Sequence, residues 1–173
     1  MTEFSSDFLN VMTYSLLIGI GATAVMDIWG LLLKVCLDIP SLSYGMVGRW
    51  IAHIPRGKLI HQGIAKSEAM AGETAIGWII HYMTGIIFAA ALLLIWGLEW
   101  AANPTLMPAI MVGVTTVVFP YFVLQPCLGA GIASRLLPEP NIARVKSLTT
   151  HLVFGTGLYL SALFFQSMVD LVG

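Results

Sequence analysis

The chain has 173 residues, of which 58% are hydrophobic and 10% charged, and its formal net charge is −1. A soluble domain carries about 25% charged residues, so this chain cannot cover a water-facing surface, and its charge balance gives no electrostatic case for nucleic acid. Two cysteines, Cys36 and Cys127, make neither a disulfide framework nor a zinc pattern.

The first apolar segment runs over about 8–35 and is interrupted only by Asp27. Ala22-Thr23-Ala24 resembles a signal cleavage site, yet Glu3 and Asp7 precede it without any Lys or Arg. A signal peptide needs a basic start, so a retained helix is expected. The second segment covers 74–98 and is interrupted by His81. The third covers 106–132 and carries Pro108, Pro120, Gln125 and Pro126. The fourth covers 147–172, with His151 near its start. Each exceeds the roughly 20 residues that cross a bilayer, and backbone polar groups in lipid must be satisfied within the segment. The expected fold is all-α: a polytopic membrane four-helix bundle, a single integral-membrane domain over 1–173.

All eight Lys and Arg residues flank or occupy the loops 37–73 and 133–146. The positive-inside rule makes that side cytoplasmic and leaves both termini periplasmic. Trp96 and Trp100 fall where an aromatic belt belongs at the opposite end. In the cytoplasmic loop, Leu42, Met46, Trp50, Ile51 and Ile54 recur at helical spacing. This predicts a short amphipathic helix over 42–54, lying on the membrane surface or packed over the bundle end. Ile54-Pro55-Arg56-Gly57 reads as a turn, and Pro138 and Pro140 are expected to break the third loop.

Asp27, His81, Gln125 and His151 are polar groups inside apolar segments, each on a different helix. Counting 1.5 Å per residue from the nearest basic or acidic flank puts them about 8–15 Å deep, within roughly one turn of one another. Intramembrane ionisable groups are costly and face a bundle interior. Asp27, His81 and His151, with Gln125 at the edge, can therefore form one layer. Two imidazoles and a carboxylate suit a divalent transition metal. Two axial imidazoles suit haem b, with Gly85 and Gly155 leaving room for a flat ring. Histidine and a buried carboxylate also suit proton transfer. The plain alternative is interhelical glue, with the glycines serving close packing.

Weaker candidates are His53 and His61 with Glu68 and Glu73, read mainly as solvated loop residues, and Met107 with Met111, as copper ligands or interface fillers. His81-x-x-x-Gly85 is echoed by His151-x-x-x-Gly155, as a parallel duplication would leave it. No nucleotide-binding, metalloprotease or nucleophile-elbow motif occurs, so the reading is non-enzymatic.

The stretches Gly19–Asp27, Gly45–Gly57, Gly77–Gly85, Gln125–Gly131 and Thr150–Gly157 together resemble a bacterial inner-membrane family, domain of unknown function 2938. The resemblance implies a small multi-pass inner-membrane protein and lends no catalytic residue. Three roles stay open: a metal- or proton-handling protein, a structural or accessory subunit needing a membrane-protein partner, and a haem-binding electron-transfer subunit. The lipid bilayer is the implied surrounding. With only four helices, a transporter would have to form a homo-oligomer.

Overall fold

A computed structural model describes residues 2–41 and 43–172. Leu42, where the predicted surface helix begins, and the side chain of Asp170 lie outside the described residues. Among the described residues there is no strand. Four helical stretches are long and apolar enough to cross a membrane: Asp7–Leu37, Glu73–Trp96, Leu106–Leu128 and Pro140–Met168. They belong to α1 (Thr2–Leu37), α3 (Glu73–Trp96), a third span opened by α5 (Leu106–Thr116), and α7 (Pro140–Val172). Between α1 and α3 lies α2 (Tyr44–His53), and α4 (Leu98–Ala102) is a single short turn after α3.

In lipid, helices gain little from the hydrophobic effect, so close van der Waals packing at small residues must hold them together. The glycines show where. A Cβ on Gly19 would stand 2.6 Å from Ile86 Cα, which marks the α1–α3 crossing. One on Gly113 would stand 2.7 Å from Gly155 Cα, where α5 crosses α7. One on Gly157 would stand 2.9 Å from Ala22 O, where α7 crosses α1. Ile18, Phe88, Leu92, Leu93, Val112, Phe154 and Leu158 fill the space between these crossings.

Several boundaries differ from the sequence reading for local reasons. Gly97, at φ +77°, ends α3 earlier than expected and turns the chain into α4. Trp100 is only 5% exposed and donates to Thr105 O, so it closes the core rather than joining an outer belt. Pro140 does not break a helix but opens α7, since proline is well accommodated in a first turn. Arg144 and Lys146 consequently ride on α7 instead of a loop.

The third span is not a uniform helix. Pro120 lacks an N–H and crowds the preceding turn, and Pro120–Leu124 is π-helical before α6 (Gln125–Leu128) resumes. Gly129 then ends α6 at φ +93°, and a Cβ there would meet Gly63 N at 2.6 Å. Glycine is required on both counts, because the loop after α2 seats directly on the end of this span.

The amphipathic helix expected over 42–54 is α2, and it packs against α3. Gly48 sits against the backbone of Glu73 and Gly77, and Gly77 against the carbonyl of Tyr44. Arg49 fixes the far edge: its guanidinium makes paired bonds of 2.9 and 2.7 Å to Glu73 and reaches Ser67 O at 3.1 Å.

Candidate functional site: a carboxylate–imidazole couple at the basic end

Asp27 lies on α1 about two helical turns past Gly19 and faces α3 and α2. Its Oδ1 accepts from His81 Nε2 at 2.9 Å and from the Tyr44 hydroxyl at 3.1 Å. Its Oδ2 accepts from the Tyr82 hydroxyl at 3.0 Å. The side chains of His81 and Asp27 are 9% and 20% exposed. With the carboxylate accepting, the proton of the His81 contact sits on Nε2.

An aromatic wall surrounds the couple. The Tyr44 ring stacks on His81 with centroids 4.0 Å apart and an interplanar angle of 23°. Trp78 lies 4.6 Å from Tyr44 and 5.8 Å from His81. Burial, together with the neighbouring Asp27 charge, pushes the Tyr44 phenol above its ordinary range, so Tyr44 remains a donor.

His151 shares the level of Asp27 but not its interface. Gly157 packs on Ala22, and counting from that contact toward the basic end brings the two side chains to within about one residue of the same depth. Across the bundle, however, His151 faces α5, where Nδ1 is 3.0 Å from Thr116 Oγ1. The Thr116 hydroxyl spends its only proton on Gly113 O at 2.7 Å, so it accepts from His151 Nδ1–H. Gln125 is held one turn nearer the basic end, donating to Ser147 Oγ at 3.1 Å, with its Oε1 buried and unpartnered.

The expected single layer of Asp27, His81, His151 and Gln125 is therefore two pairs and a couple on three helix contacts. Sequence counting gives the common depth of Asp27 and His151 but not that of Gln125, which sits a turn nearer the basic end, and the face His151 presents follows from how α7 divides its surface between α1 and α5. Among the described residues, no group of three or more His, Cys, Asp and Glu side chains is placed to hold a metal ion. The gap expected beside the glycines is filled: Gly85 lies against Thr23 and Gly19 O, and Gly155 against Ala109 O. Met107 and Met111 are 68% and 51% exposed and face outward, away from any helix interface.

Tyr44 and Tyr82 were not legible as site residues. Tyr82 merely follows His81, and Tyr44 opens a helix whose contact with α3 no periodicity specifies.

Residues 16–165 match the family model described as "Protein of unknown function (DUF2938)". The chain belongs to this family. No curated protein and no solved structure matches it. In this DUF2938 protein, the matched region contains every residue of the couple and both flanking pairs. The two His-x-x-x-Gly stretches play parallel parts in it: each glycine seats its helix on the preceding span, and each histidine, one turn before, bonds that span.

Proposed function

We propose that this DUF2938 protein is a multi-pass protein of the bacterial inner membrane, with both termini periplasmic, in which the Asp27–His81 couple exchanges a proton with the cytoplasm. One observation carries the reading: a carboxylate and an imidazole in direct 2.9 Å contact between two membrane helices, near the basic end. Such a pair binds a proton with little rearrangement, and histidine is the side chain that titrates near neutral pH. Tyr44 and Tyr82 keep the carboxylate solvated by protein when the proton leaves. A divalent metal or a haem b shared by His81 and His151 is less well supported. The two rings are bonded at separate helix contacts, His81 to Asp27 on α1 and His151 to Thr116 on α5.

The orientation rests on the segregation of Lys and Arg. Single cysteines introduced at Gly57 and Asn103 should label only from the cytoplasm and only from the periplasm, respectively. The reverse pattern would put the couple at the periplasmic end.

Proton exchange is tested with purified protein in lipid nanodiscs, in weak buffer with a pH indicator, after a small acid addition. Uptake should exceed that of Asp27→Asn and of His81→Gln, and should persist in Gln125→Ala. Equal uptake by folded Asp27→Asn would end the proton reading. The couple would then be interhelical glue in a structural or accessory subunit, a role favoured by its joining of α1, α2 and α3.

A further inference from the structure

The last residue of α2, His53, and His61 in the loop that follows are both histidines, and neither is solvated. His53 is 5% exposed and His61 3%. Their ring centroids are 5.2 Å apart, edge to face at 69°. The two acidic residues expected beside them point elsewhere: Glu68 reaches Arg56 at the surface, and Glu73 is held by Arg49.

Each ring is held by one nitrogen. His53 Nε2 is 3.1 Å from Glu68 O, which can only accept, so the proton is on Nε2 and Nδ1 carries the lone pair. His61 Nδ1 is 2.7 Å from Ser67 Oγ. His61 Nε2 is buried and has no partner at all. A buried polar atom left bare costs about 1–3 kcal/mol, so this nitrogen calls for an explanation. Metal-binding histidines characteristically give the outer N–H to a backbone carbonyl or other acceptor and turn the second nitrogen to the metal. Each ring here has one nitrogen hydrogen-bonded, to Glu68 O or to Ser67 Oγ, which leaves the other for a metal. Two imidazoles on one tetrahedral ion hold their ring centroids roughly 5 Å apart, given nitrogen–metal distances of about 2.0–2.1 Å.

We infer that His53 and His61 form a two-histidine site for a divalent transition metal such as Zn2+, with its remaining positions open to water or to an incoming ligand. The ligating atoms are His53 Nδ1 and His61 Nε2. Lys58, Leu59 and Ile60 beside His61 are exposed and leave an approach from solvent. A bound ion would pin the end of α2 to the segment whose His61 N–H bonds Cys127 O at 2.9 Å. It would thereby join α2 to the end of the third span.

The test is titration of the untagged, metal-free, full-length protein in detergent with Co2+, which takes Zn2+ sites and gives an intense visible band only when tetrahedral. The wild type should show this band, saturable and displaced by Zn2+. His53→Gln and His61→Gln should each abolish it, and Ser67→Ala should weaken affinity about 10–100-fold by freeing the His61 ring. Asp27→Asn and His151→Ala should keep the band, which separates this site from the Asp27–His81 couple. No saturable band in the wild type would overturn the inference. So would a band that survives in both folded glutamine variants.

Discussion

Gly77→Ala should detach α2 from α3. A methyl group at Gly77 would overlap the carbonyl of Tyr44, and one at Gly48 would overlap the carbonyl of Glu73. Both obstacles are backbone, which cannot rotate away as a side chain can. Overpacking of this kind costs typically 1–3 kcal/mol, and here the expected loss is roughly 3 kcal/mol, because relief requires moving a whole helix. The consequence reaches the site. Tyr44 begins α2 and donates to Asp27, so a displaced α2 withdraws both that hydrogen bond and the ring stacked on His81. Unfolding in mixed micelles should show the loss, and proteolysis between 54 and 72 should accelerate. Gly45→Ala is the control on the same helix. Its Cβ would stand 3.4 Å from Thr74 Oγ1, an ordinary contact. Alanine there should be neutral or stabilising by up to about 1 kcal/mol. Equal behaviour of the two variants would show that the α2–α3 contact is loose.

Asp27→Ala is expected to be the more damaging of two changes at the couple, with a loss of about 3–5 kcal/mol, because each buried donor left without an acceptor costs about 1–3 kcal/mol. The reason is the number of groups stranded: His81 Nε2 and the hydroxyls of Tyr44 and Tyr82 all lose their acceptor. Asp27→Asn retains the shape and one acceptor oxygen. It forfeits the charge and presents an amide N–H to a donor, so roughly 1–2 kcal/mol is expected. The coupling between Asp27 and His81 is read from a double-mutant cycle with His81→Gln. Stability unchanged in Asp27→Ala would mean that the three hydrogen bonds do not anchor α1 to its neighbours. Stability lowered in Asp27→Asn with proton uptake intact would confine the carboxylate to a structural role.

Composition and periodicity alone determined much of this protein. Four apolar stretches interrupted by single polar residues admit only helices in lipid, because no water is there to satisfy an open backbone. The amphipathic stripe around Trp50 required α2, and helical rise placed Asp27 and His151 at one depth, because residues per ångström are the same in every helix. The glycine positions announced close crossings, since small residues are what let backbones approach in a membrane. What the sequence could not supply was azimuth. A helix interior in lipid has polar and apolar neighbours on several sides, and nothing in the spacing of His151 distinguishes a face toward α1 from a face toward α5. That choice was made by the α5–α7 crossing at Gly113 and Gly155, which turns His151 to Thr116. The Gly48–Gly77 contact likewise brought Tyr44 to Asp27 across 17 residues of chain. His53 and His61 are the sharpest case. His53 ends α2 and His61 stands in the charge-bearing loop after it, and both look solvated, yet His61 is seated on Cys127–Gly129 and His53 packs edge to face on His61, contacts between distant segments that local pattern cannot encode.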